Sequence, residues 1–280
     1  MQERILSNEK LEQFRVYLRQ EEKSKNTVEK YLRDAAAFAA ACPGSVTKEA
    51  VITYKQRLID AGYAVRSINS MLASINSLFS FFGWYELRIK ALRVQQQVFC
   101  PEEKELTRAE YERLCRAADR KHNDRLSLIL QTVCATGIRV SELAFVTAEA
   151  VRRGDTTISL KGKTRRIFLV RQLQRKLLCY LRSQKISSGP VFVTKTGRPL
   201  DRTNIWREMK NLCVEAEVDP QKVFPHNLRH LFARIFYSME KDIAKLADLL
   251  GHSSINTTRI YIISTGTEHR QRMERMRLII

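Results

Sequence analysis

The chain has 280 residues, of which 44% are hydrophobic, and a formal net charge of +19 from 49 Lys and Arg against 30 Asp and Glu. That composition excludes wholesale disorder and the length suits two domains; no run of about 18 apolar residues marks a membrane span, and the polar start Met1-Gln-Glu-Arg lacks a signal peptide's apolar run. The excess of positive charge would draw a polyanion from a distance, nucleic acid first and an anionic membrane second, with a basic protein that has no such partner as the plain alternative.

The first part, to about residue 92, reads as all helix. Leu11, Phe14, Tyr17 and Leu18 recur at the three- and four-residue steps of one helical face. A second helix is predicted from Thr27 to Ala41, with Asn26 as its cap and Val28, Tyr31, Leu32, Ala35 and Phe38 inward, before Pro43-Gly44 breaks the chain. A third follows Thr47 and ends at Gly62; a fourth starts near Val65 and carries Ile68, Met71, Leu72, Ile75, Leu78, Phe79 and Phe82 to Gly83. Four helices with short breaks predict a small bundle. Residues 93–106, with Gln95-Gln96-Gln97 and Pro101-Glu102-Glu103-Lys104-Glu105, have no apolar period and read as a linker.

Thr107-Arg108-Ala109-Glu110 is a capping-box sequence ahead of Tyr111, Leu114 and Cys115. Arg125 to Thr136 is an apolar helix stopped by Gly137. Strands are predicted over Thr156–Leu160 and Arg166–Val170, flanking Lys161-Gly162-Lys163-Thr164 as a hairpin turn. A helix follows from Gln172 to Gln184, then a β-like piece, Val191-Phe192-Val193, and mainly helix from Thr203 onward with breaks at Pro220, Pro225 and Gly251. The fold class expected is mainly α: a four-helix bundle over 1–92, then a mixed α/β domain with a small antiparallel sheet over 107–280. The six cysteines, at 42, 100, 115, 134, 179 and 213, form no CxxC pair or zinc-finger spacing and read as reduced structural thiols.

Chemistry concentrates in four segments: Thr136-Gly-Ile-Arg139-Val-Ser-Glu142-Leu143, Lys161 in the hairpin, Pro225-His226-Asn227-Leu228-Arg229-His230, and Leu249-Leu-Gly-His252-Ser-Ser254 followed by Tyr261. Exchange at a phosphodiester needs donors for the charge that gathers on the non-bridging oxygens, and two guanidiniums offer planar forks for them. It needs a nucleophile: a phenol, with a pKa of about 10, requires a base or a cationic setting. It needs a proton for the leaving oxygen, from a lysine or a histidine. Arg139, Arg229, Lys161, His226, His252 and Tyr261 make up that set without a metal or another cofactor. Taken singly they have bland readings: a helix-start charge for Arg139, a half-buried core aromatic for Tyr261. The i, i+4 pair His226 and His230 could hold zinc, but Asn227 stands where the HExxH pattern has Glu; Lys161-Gly-Lys-Thr164 lacks the upstream glycine of a P-loop, since position 158 is Ile158.

In their order and spacing these segments resemble the tyrosine recombinase (phage integrase) family, in particular its compact bacterial Xer-type members. The resemblance covers about residues 107–265, and the helical first part is similar to the family's core-binding domain. It implies that Arg139 and Arg229 clamp the scissile phosphate, Lys161 protonates the leaving 5′ oxygen, His226 assists the tyrosine proton, His252 hydrogen-bonds the phosphate and Tyr261 forms a 3′-phosphotyrosine link, so that rejoining needs no ATP. Glu142, three residues after Arg139, would orient its guanidinium. Lys163, two positions from Lys161, is the other candidate lysine. The implied partner is double-stranded DNA at recombination sites, in the cytoplasm and on the nucleoid, with no membrane. The bundle starts so near Met1 that binding to distant arm-type sites is not expected. Thr267 to Ile280 reads as a helix with apolar Met273, Met276, Leu278, Ile279 and Ile280. By the resemblance it passes to a neighbouring protomer in a tetramer on paired sites, the alternative being that it folds back on its own domain. The competing functions are a type IB topoisomerase and a catalytically inactive DNA-binding protein.

Overall fold

The computed structural model of the chain describes residues 4–94, 105–160, 163–194, 196–198, 200–261, 270 and 273–276, with the backbone alone at 160 and 163. The chain divides into two compact units, residues 1–96 and 97–280. The expected linker, 93–106, falls mostly on residues 95–104, which lie outside the described residues.

In the first unit four helices form: α1 Asn8–Gln20, α2 Lys25–Ala41, α3 Lys48–Asp60 and α4 Val65–Phe81. The side chains of Ser7, Ser24 and Thr47 accept from backbone N–H groups in the first turns of α1, α2 and α3, satisfying donors that have no intrahelical partner. Ser24 therefore caps α2, two residues before the expected Asn26. Its hydroxyl reaches the Thr27 N–H, and Asn26 is left inside the first turn. The apolar faces meet around Phe38, Val51, Ile68, Leu72, Ile75 and Phe79, with Phe14, Leu18, Val28 and Ala35 beside them. Between α2 and α4, Lys30 and Ser74 both hydrogen-bond the buried Asp34, at 2.6 and 2.8 Å, which fixes how the two helices face each other.

The second unit runs α5 Arg108–Arg120, α6 Asp124–Thr136, a 3-10 turn Val140–Phe145, α7 Ala148–Arg153, β1 Asp155–Leu160, β2 Lys163–Phe168, α8 Arg171–Ser183, α9 Arg202–Lys210, α10 Cys213–Ala216, α11 Pro225–Glu240, α12 Ile243–Leu250 and α13 Ile255–Arg259. The expected capping box opens α5, with both reciprocal bonds between Thr107 and Glu110 present. Helix α6 is the hub: Leu126, Leu128, Ile129, Leu130 and Val133 are buried because α5, α8 and α11 all pack on it.

The antiparallel hairpin pairs Asp155 with Phe168 and Leu160 with Lys163. The second strand thus begins at Lys163, three residues before the expected Arg166. Cross-strand pairing of Arg165 with Ile158, Thr164 with Ser159 and Lys163 with Leu160 carries the ladder up to the two residues, 161 and 162, that separate the strands. Lys161 and Gly162 lie outside the described residues. The β-like piece at 191–193 is not a strand: it carries only an isolated bridge position at Val193, next to the isolated bridge of Pro190 to Thr147. Among the described residues no helix is long and apolar enough to cross a membrane. Of the expected C-terminal helix, 267–280, the structure describes 270 and 273–276. Residues 273–275 are helical, and Met273 and Met276 are exposed.

Candidate active site

The groups of interest sit where helices of the second unit end or begin. Helix α6 stops at Gly137, whose φ of +64° is left-handed; a Cβ there would lie 2.6 Å from the Phe232 ring, so only glycine fits both the backbone and the neighbour. Two residues later Arg139 caps the 3-10 turn. Its backbone N–H donates to Glu142 Oε2 and its Nη1 to Glu142 Oε1, both at 2.8 Å. The expected Arg139–Glu142 contact is therefore made across the first turn of a 3-10 helix, where the carboxylate accepts from both the backbone and the guanidinium of Arg139, rather than along an α-helical face. Glu142 is buried, whereas the Arg139 side chain is 40% exposed. One of its five N–H donors is engaged among the described residues.

Arg229, on the second turn of α11, is 1% exposed. Its Nη1 donates to the Gly137 carbonyl at 2.6 Å, and its Nη2 to the Leu250 carbonyl at 2.7 Å and to His252 Nε2 at 2.9 Å. Those carbonyls belong to the C-terminal ends of α6 and α12, where unpaired C=O groups and the helix dipole favour a cation. Burial, then the nearby Arg139, lowers its pKa to about 10, and it stays charged at neutral pH. Its buried Nε has no hydrogen-bond partner among the described residues.

Gly251, left-handed at φ +65°, ends α12 and turns the chain to His252. Since Arg229 can only donate, His252 Nε2 must accept; Nδ1 therefore carries the proton and donates to Thr258 Oγ1 at 2.8 Å. Burial and the charges of Arg229, Arg139 and Arg165 depress the His252 pKa to about 4, in keeping with a neutral ring. Both of its nitrogens are thus occupied within the protein. Thr258 is the fully buried residue of α13, and three residues on, Tyr261 packs against Ala233, Leu246 and Leu250, 3% exposed.

The Tyr261 hydroxyl lies 3.3 Å from His226 Nε2, and the ring is flanked by His230 and His252, with centroids 4.3 and 5.4 Å away. His226 is the second residue of α11, its outer edge open to solvent. Partial burial first, then Arg229, Arg139 and Arg202, lower its pKa, and the N-terminus of α11 disfavours a further positive charge in the same sense. His230, one turn on, is pushed to about 4 by burial and then by His226 and Arg229. A neutral imidazole beside a phenol can take its proton.

Five of the six residues expected from the sequence, Arg139, His226, Arg229, His252 and Tyr261, thus converge, joined directly or through Glu142, backbone carbonyls and rings. The sixth, Lys161, lies outside the described residues. Sequence reasoning missed Thr258, which sets the His252 tautomer, and Arg165 of β2, which donates to Glu142 Oε2 at 2.7 Å and to the Leu250 carbonyl at 2.9 Å. The alternation of a strand would have separated Arg165 from its neighbour Arg166, which turns instead to Asp155.

Comparison with known proteins places this arrangement. The phage integrase family matches residues 104–268, and the phage integrase N-terminal SAM-like domain matches residues 11–85. Tyrosine recombinase XerA of Pyrococcus furiosus is 32% identical over 287 residues, covering 100% of this chain and 98% of that protein. Tyrosine recombinase XerD of Halalkalibacterium halodurans is 30% identical, over 88% of this chain and 90% of that protein. Among solved structures, a lambda integrase tetramer bound to a Holliday junction shares the fold at a TM-score of 0.72 and 17% identity, covering 90% of this chain and 76% of that one. The named relatives are recombinases, which sets aside the topoisomerase and inactive-protein alternatives. The chain belongs to the phage integrase family and is a site-specific tyrosine recombinase of the Xer type.

Proposed function

We propose that this recombinase cleaves and rejoins double-stranded DNA with Tyr261 as the nucleophile. Arg139 and Arg229 hold the non-bridging oxygens of the scissile phosphate. The Tyr261 oxygen attacks phosphorus, its proton passing to His226. The bond to the 5′ oxygen breaks, and Lys161 supplies that oxygen with a proton, leaving a 3′-phosphotyrosine. Attack by a 5′ hydroxyl from the partner site reverses the sequence and completes exchange without metal or ATP. His252 orients Arg229; a bond from His252 to the phosphate itself requires its contact with Arg229 to be exchanged for it. Residues 1–92 act as the core-binding domain, 93–106 as the linker and 107–280 as the catalytic domain.

The observation that carries the reading is the 3.3 Å approach of the Tyr261 hydroxyl to a histidine held toward its neutral form, beside a buried guanidinium anchored to the protein by its Nη1 and Nη2 groups. Tyr261→Phe should bind duplex DNA within a few fold of the parent and yield no covalent protein–DNA band with a nicked suicide substrate. A covalent band from this variant would move the nucleophile elsewhere, Tyr237 being the next candidate.

The assembly proposed is a tetramer on paired sites, the state recorded for lambda integrase on a Holliday junction. Residues 270–280 would dock on a neighbouring protomer. The exposure of Met273 and Met276, at 58% and 59%, supports this, because apolar side chains on so basic a chain are better placed against a partner than in water.

A further inference from the structure

Successive residues of β2 face opposite ways. Arg166 pairs with Asp155 on one side; Arg165 turns to the other, where its side chain is 12% exposed. There it bonds an acceptor of each member of the arginine pair. Its Nη2 donates to Glu142, the carboxylate that holds Arg139, and its Nη1 donates to the Leu250 carbonyl, the acceptor that holds Arg229 Nη2. Among the described residues no other side chain is hydrogen-bonded to both. Gly251 belongs to the same contact: a Cβ at that position would come within 2.4 Å of Arg165 Nη1 and 2.9 Å of its Cδ. The glycine of the Leu-Leu-Gly-His segment leaves room for Arg165 as well as turning the chain.

We propose that Arg165 is a positioning residue that holds Arg139 and Arg229 in one frame so that both address the same phosphate. The inference rests on reading those two arginines as the phosphate clamp. Its physical core is competition for Glu142. Oε2 is shared by the Arg139 backbone N–H and Arg165, which leaves Oε1 to the Arg139 guanidinium through a single Nη1 bond. Without Arg165, the buried carboxylate has one side-chain cation left and draws Arg139 into a two-pronged fork, withdrawing donors from the substrate. At the other end Arg165 ties the strand to the last carbonyl of α12, so a shift of Glu142 relative to Arg229 must break a charge-assisted bond.

The test uses the full-length protein and two suicide substrates, one with an ordinary scissile phosphodiester and one with a neutral methylphosphonate at that position. The neutral substrate carries no charged oxygen pair for a clamp to hold. Arg165→Met should slow cleavage of the phosphodiester by about 10²-fold, the scale of one lost preorganised donor, and of the methylphosphonate by less than tenfold. Combined with Arg139→Ala it should add little to what Arg139→Ala costs alone. A merely structural role slows both substrates alike and adds fully to Arg139→Ala, and either result overturns the inference. Arg139→Ala slow with Arg165→Met at the parent rate sinks the inference alone; Arg139→Ala at the parent rate sinks the clamp and the inference with it. Should Arg165→Met not fold, Arg165→Lys keeps the charge without bridging both acceptors and is read by the same substrate ratio.

Discussion

Removing Arg229 should cost fold as well as chemistry, and removing Arg139 should cost chemistry alone. In Arg229→Ala the Gly137 carbonyl and His252 Nε2 lose their donor at once and the Leu250 carbonyl is left with Arg165 alone, around a side chain 1% exposed. An orphaned buried polar group costs about 1–3 kcal/mol. Water entering the vacated space recovers part of the sum, so a net loss of about 3–5 kcal/mol is expected, the range for breaking a buried charged contact. For a unit this size, 1 kcal/mol moves Tm by about 2–4 °C, so the melting point should drop by roughly 10 °C. Arg139→Ala strips a 40%-exposed side chain whose carboxylate partner keeps Arg165, and its stability loss should stay near 1 kcal/mol. Both variants should lose at least about 10²–10³ in cleavage. Calorimetric melting of each variant, beside single-turnover cleavage of a suicide duplex, measures the two effects separately. Arg229→Ala melting with the parent, or Arg139→Ala melting as low as Arg229→Ala, refutes this division.

Stability should fall as the pH drops from about 6.5 to about 4. His230 and His252 bind protons at 6.5 when unfolded and near 4 when folded, so across that window the unfolded chain holds more protons, worth up to roughly 3 kcal/mol for His230 and less for the more exposed, solvent-screened His252. Urea denaturation of the parent and of His230→Gln at pH 7.5, 5.5 and 4.5 checks this; equal slopes in the two proteins would contradict it. Lys161→Ala should slow cleavage and be rescued by a 5′-bridging sulfur, which leaves without a proton. Rescue of Lys163→Ala in its place assigns the acid to the other lysine. Deleting residues 270–280 should leave single-site binding unchanged and abolish strand exchange between two sites, and a truncated protein that recombines at the full rate rules the tail out of assembly.

Much of this was legible in the chain because its local signals agree with one another. Thr107 and Glu110 spell a capping box that forms, Gly137 stops α6 where a left-handed residue is needed, and the apolar period of α4 picks out Ile68, Leu72, Ile75, Leu78 and Phe79, which are buried, while Met71 and Phe82 are only half-buried. What was not legible depends on tertiary partners. Ser24 and Asn26 are equally good caps by residue type, and residue type alone does not tell that the helix starts at Lys25 with Ser24 accepting from the Thr27 N–H. The second strand starts early because cross-strand pairing outweighs the turn character of Lys163 and Thr164. Arg165 and Thr258 matter through hydrogen-bond partners 85 and 6 residues away, a relation no local pattern encodes.

The anchoring of Arg229 has a consequence for how this chemistry can be lost in descent. Its guanidinium is a rivet between the ends of two helices, so a lineage that drifts toward merely holding DNA can shed the Tyr261 hydroxyl or Arg139 at small structural cost, but not Arg229 without repacking the ends of α6 and α12. An arginine surviving at this position in a diverged descendant therefore testifies to an intact architecture, and competence must be judged from its more exposed companions.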